Sequence, residues 1–170
     1  GRAGEWWRVV FRRDRSFERS RLHSPVEGTT VRLYKPVAGA AEVEQARQRA
    51  RETLQYWCKH VKIELRLDGE VVSGPLDLDG LCKVEHREDG TTLVMALVVE
   101  RRALRGDSRG GLTLHEEHSE DLPHVAFKID SRYLEHSLTR DNVIRDENYA
   151  KAMAIVAQVA RTRLVDAMFA

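Results

Sequence analysis

The run TTLVMALVV, Thr91 to Val99, places seven apolar residues in succession. A strand wetted on one face alternates apolar with polar residues. An unbroken run instead predicts a strand buried on both faces, at the centre of a sheet. Asp89-Gly90 just before it is hairpin chemistry, and CKVEH (Cys82 to His86) alternates as a neighbouring strand should. Further upstream VKIELRL alternates strictly. Val61, Ile63, Leu65 and Leu67 face one way and Lys62, Glu64 and Arg66 the other, with Asp68-Gly69 turning the chain into EVV. Ser73 to Gly80 is expected to be a loop. Downstream, RALRGDSRGG (Arg102 to Gly111) predicts a flexible loop, and LTLHE and HVAFKID two more strands, with Pro123 at the start of the second.

Two helices frame these strands. Val43, Ala46, Ala50, Leu54, Trp57 and Val61 recur at helical spacing, with Glu44, Arg47, Gln48, Arg51 and Glu52 outside that stripe. This helix should end near Lys59. Tyr149, Met153, Val156, Ala160, Leu164 and Ala167 form the stripe of a second helix, about 147–169, with Asp146 as its N-cap. At the N-terminus EWWRVVFRR (Glu5 to Arg13) and GTTVRLYK (Gly28 to Lys35) predict two strands, and Pro36 to Ala40 a linker. Strands, helix, strands and closing helix together predict an α+β fold with a mixed sheet and packed helices.

With 170 residues, 42% hydrophobic and 32% charged, the chain can build a core under a well-solvated surface. A net charge of +1 selects no acidic partner globally. Residues 1 to 35, however, hold nine Arg and Lys against four Asp and Glu, a local +5. There Trp6, Trp7, Phe11 and Phe17 lie among arginines, a composition that can stack bases and neutralise phosphates; the competing account is a strand with a charged, solvated face. Two cysteines, Cys58 and Cys82, make no disulfide framework and fit a reducing cytoplasm. No stretch approaches the roughly 20 apolar residues of a membrane helix. The opening Gly1 in place of Met points to a natural chain that is longer at both ends.

Cys58 and His60, Cys82 and His86, and His115 and His118 never form the paired ligand boxes of a zinc site, so no metal site is expected. HEEH (His115 to His118) spaces its histidines at i and i+3, not the i and i+4 of a helical zinc-protease motif. There is no nucleophile elbow, no P-loop and no G-x-G-x-x-G; the glycines of GDSRGG do not lie between a strand and a helix. One dense polar run remains, LEHSLTRDNVIRDENY, Leu134 to Tyr149. Arg140 in it would precede a short helix that Thr139 could cap, and its guanidinium could make charge-assisted contacts to phosphate.

The order of these segments resembles the GHKL ATPase superfamily, which includes gyrase, MutL, histidine kinases and the ninety-kilodalton heat-shock chaperones. VEGTTVRLYK looks like the G-T-x-V strand that closes the ATP-binding domain, and DLPHVAFKIDS followed by SLTRD (Ser137 to Asp141) looks like the chaperone middle-domain run. The resemblance implies C-terminal strands of a GHKL-type ATP-binding domain at 1–38, a connecting helix at 39–60 and a two-layer β-α-β transducer, or middle, domain at 61–170. It places Arg140 on the catalytic-loop arginine that reaches the γ-phosphate of ATP, and Thr29 on the threonine that helps hold adenine. Mg²⁺ would be bound by an N-terminal domain absent from this chain. The family's asparagine three residues before the arginine is Ser137 here, its glutamine four residues after is Ile144, and its tryptophan-bearing helical insertion is missing. The implied partners are a client protein and a second copy of the full-length chain. Two other classes compete: the transducer of a DNA-acting ATPase of the gyrase or MutL kind, and a non-enzymatic nucleic-acid or protein interaction module.

Overall fold

The computed structural model describes residues 4–137 and 142–170. The chain divides into two compact units, Gly1–Ala38 and Gly39–Ala170. The first is a hairpin of β1 (Trp6–Phe11) and β2 (Phe17–Leu22), in register from Trp6↔Leu22 to Phe11↔Phe17. The strand expected at Gly28 to Lys35 does not form. Its alternating residues are solvated, Leu33 at 91% exposure, because no strand of this unit offers that segment a ladder.

The second unit is α+β. It begins with α1 (Ala40–Trp57), none of whose residues is fully buried. The expected strand 61–67 survives only as β3 (Arg66–Leu67), paired with β4 (Glu70–Val71). Ahead of it the Ser73 hydroxyl takes the place of a partner strand. It accepts from the Leu65 N–H at 2.9 Å and donates to the Ile63 carbonyl at 3.1 Å. Strict alternation therefore predicted a longer ladder than the fold supplies.

Five further strands make the main sheet: β5 (Leu81–Glu88), β6 (Thr91–Leu97), β7 (Ala103–Arg109), β8 (Leu112–Ser119) and β9 (Val125–Ser131). Their order is β5-β6-β9-β7-β8. All pairs are antiparallel except β7 with β9. The β7 strand corrects the loop expected at Arg102 to Gly111. Its buried residues include Arg105, Asp107 and Ser108, so hydropathy conceals an interior strand of the sheet. Only its end turns, through Gly110 and Gly111, both at positive φ.

The apolar run of β6 is buried on both faces, as its sequence requires. Leu93 and Met95 join Phe127 and Ile129 of β9 against a helical layer, through Ala152, Val156, Val159 and Leu164. Val94, Ala96 and Ala126 face the other way, with Ala103 and Leu78. The helical layer is α2 (Glu147–Val159), a π-helical turn (Ala160–Leu164) and α3 (Val165–Met168). Asp146 caps α2, its Oδ1 accepting from the Tyr149 N–H at 2.9 Å. On the opposite face the chain leaving α1 lies against the β7–β8 turn so closely that a Cβ on Gly111 would collide with the His60 carbonyl.

Candidate functional site

The polar run from Leu134 to Tyr149 bridges β9 and α2. Its arms are tied together: His136 and Val143 form an antiparallel bridge, made by Ser137 N–H donating to Asn142 O at 2.9 Å and Ile144 N–H to Glu135 O at 2.8 Å. Leu134 and Val143 anchor the arms in the core. Arg140, Thr139 and their neighbours Leu138 and Asp141 lie outside the described residues. The short helix expected after Arg140 is absent from residues 142 to 146, and helical structure starts at Glu147. Thr29 is exposed, outside any strand of the first unit.

A buried charge cluster lies on the face of the sheet that packs on the helices. Arg105 on β7 reaches Asp107 Oδ2 at 3.3 Å, Asp121 at 3.5 Å and Glu117 at 3.8 Å. Its guanidinium lies 5.3 Å from the centre of the Tyr149 ring and 5.9 Å from that of Phe127. Asp107 is 1% exposed, and one of its oxygens has no hydrogen bond, nor does Arg105 Nε. Burial pushes the Asp107 carboxyl above the ordinary range, against the opposing pull of Arg105.

A second polar cluster occupies the other face of the sheet. Lys128 follows Ala126 on the same side of β9, at 9% exposure. Gly106 leaves its stem room: a Cβ there would come to 3.1 Å from Lys128 Cγ. Lys128 Nζ is 3.0 Å from His60 Nε2, and His60 Nδ1 is 2.8 Å from the Pro75 carbonyl. The carbonyl can only accept, so Nδ1 carries the proton and Nε2 presents its lone pair to Lys128. Beside them Lys59 Nζ pairs with Glu116 at 2.7 Å. Asp130 takes hydrogen bonds from Ser108 Oγ and the Gly111 N–H, with Lys62 at 3.6 Å. Burial lowers the His60 pKa, helped by the charge of Lys128; burial also lowers that of Lys128, helped by Lys59. Lys128 lines a cleft of about 440 Å³ with Asp77, Asp79 and His118, and His60 lines a neighbouring cleft of about 730 Å³.

These shifts carry a pH dependence. Folded His60 holds its proton less tightly than the unfolded chain, so its contribution to stability is complete above the unfolded pKa of about 6.5. It is lost as pH falls below that value, and the loss levels off below the lowered folded pKa. Urea midpoints from pH 7.5 to 5 are expected to fall more steeply for the parent than for His60→Asn. Parallel curves would exclude His60 as the source.

Neither cluster was singled out from sequence. Lys128 stands inside the apolar strand HVAFKID, and an inward lysine there was the available signal. For Arg105 and Asp107 the signal was the i, i+2 spacing of opposite charges, hidden by the loop expectation. The histidine pairs do not converge. His115 and His118 both lie on β8 but face opposite sides, the first beside Glu117 and the second in the smaller cleft. Cys82 packs against the core, while His86 faces Glu88 and Arg163. Among the described residues no group of three or more His, Cys, Asp or Glu could hold a metal ion, and no helix is long and apolar enough to cross a membrane. No family model, no curated protein and no solved structure matches the chain.

Proposed function

We propose that the chain is the transducer, or middle, segment of a chaperone-like GHKL ATPase, supplying Arg140 to ATP held by an upstream domain. The observation that carries this reading is the tied loop between β9 and α2. One β-bridge, made of two backbone hydrogen bonds, closes its base, and a buried apolar residue anchors each arm. A base fixed in this way suits a positioning role, which is what charge stabilisation at a phosphate requires. Segment order, from the G-T-x-V stretch to T-R-D, supplies the rest. In this reading the Mg²⁺ site lies in the upstream domain, the full-length protein is a cytoplasmic homodimer, and a client protein is the partner. ATP turnover by the full-length protein tests it, with Arg140→Ala beside the parent. A DNA-acting ATPase would place a lysine at the γ-phosphate; turnover stimulated by DNA rather than by unfolded protein would favour that class.

The first unit supports a second reading, single-stranded nucleic acid binding. Trp7, Val9 and Phe11 share a hairpin face with Phe17, Arg19 and Arg21. The Arg19 guanidinium lies 4.2 Å over the Trp7 ring, and Phe11 is 79% exposed. Stacking surface interleaved with cations suits bases and phosphates. An oligothymidylate titration is expected to show affinity falling with salt, by about 0.7 in log K per tenfold salt for each phosphate neutralised. No binding at low salt removes this reading.

A further inference from the structure

We propose that Lys128 is a nucleophilic amine that condenses with small aldehydes or ketones admitted through the cleft beside it, with His60 as its base. Three observations converge. The amine is 3.0 Å from the lone-pair nitrogen of His60. The imidazole is itself oriented by the Pro75 carbonyl at 2.8 Å, which completes a nucleophile, base and orienter in series. The cleft gives the amine access to a small molecule: apolar Leu78, Val98, Leu104 and Ala126 line it together with polar Asp77, Asp79, Glu100, Arg102 and His118.

Among the described residues no carboxylate stands within ion-pair distance of Lys128, whereas Lys59 is matched to Glu116, Lys62 to Asp130 and Lys83 to Asp77. Burial, helped by the charge of Lys59, biases the amine towards its neutral, nucleophilic form against the opposing pull of Glu116, Asp77 and Asp79.

The step balances with these groups alone. His60 Nε2 takes a proton from the ammonium, and the freed nitrogen pair attacks the carbonyl carbon. The C=O π pair moves to oxygen, which takes that proton back from His60. The nitrogen then passes one of its two protons to His60, which hands it to the hydroxyl as it leaves as water, and the nitrogen pair closes a protonated imine on Nζ.

The test is competitive labelling. The chain is treated near pH 7 with propanal, and in parallel with pyruvate, under cyanoborohydride, and the modified lysines are mapped by peptide mass. Lys128 is the most buried lysine, while Lys35, Lys62, Lys83 and Lys151 are exposed and Lys59 half-buried. Accessibility alone would label it last; the proposal expects it first, with that preference lost in urea. His60→Asn is expected to slow Lys128 labelling by at least about tenfold, with Lys151 unchanged. Preference for one probe tells a neutral aldehyde site from one that takes a keto acid. Labelling in order of exposure with both probes, or a Lys128 rate indifferent to His60, overturns the proposal.

Discussion

Replacing Arg140 with Ala in the full-length protein lowers ATP turnover by on the order of 10³-fold or more, about 4 kcal/mol of barrier, if the proposed role holds. Affinity for ATP should change far less. A guanidinium aimed at the γ-phosphate gains most as charge develops there, so the loss falls on kcat and not on ground-state binding. Arg140→Lys should recover only part of the rate, because an ammonium keeps the charge but loses the planar fork that grips two oxygens. Both arms of the loop are fixed by backbone bonds and by Leu134 and Val143. An unchanged thermal midpoint would therefore show that the rate loss is local. Equal kcat in Arg140→Ala and the parent would end the assignment of Arg140, and with it the main support for an ATPase role.

What could be read from sequence divides along a physical line. The interior strand β6 was legible because burial on both faces leaves no polar position in its stretch LVMAL. The start of α2 was legible because capping is local: Asp146 needs only the N–H three residues on. The strand β7 was illegible because it buries Arg105 and Asp107 as a pair, and hydropathy equates charge with solvent. The reverse error struck VKIELRL and GTTVRLYK. Both have strand composition, but a strand also needs a neighbour with free backbone groups, and composition cannot supply one. His60 and Lys128 are 68 residues apart, so no local period could bring them together. Arg140 was reached through the order of segments alone, and it falls outside the described residues.

Arg105→Ala should destabilise the second unit by about 3–5 kcal/mol at neutral pH. The cost is not the worth of the ion pair. It is the cost of leaving Asp107, 1% exposed and already short of one hydrogen bond, charged with no cation beside it. The pH dependence separates the two accounts. In the parent, burial already raises the Asp107 pKa in spite of Arg105, and without Arg105 it rises further. A raised carboxyl pKa means that the folded state binds the extra proton. The penalty therefore grows as pH rises above the unfolded value of about 3.9 and is small below it. Urea midpoints for Arg105→Ala and the parent should accordingly converge towards pH 4 and diverge towards pH 7. Removing both charges, as Arg105→Met with Asp107→Leu, should leave the unit close to parental stability, since apolar replacements of a buried pair remove the uncompensated charge. Glu117 and Asp121 reach solvent, so the loss of Arg105 strands neither of them. If the double variant is as unstable as Arg105→Ala, the cluster holds the sheet by shape, through the packing of Arg105 on Phe127 and Tyr149, and the charge argument fails.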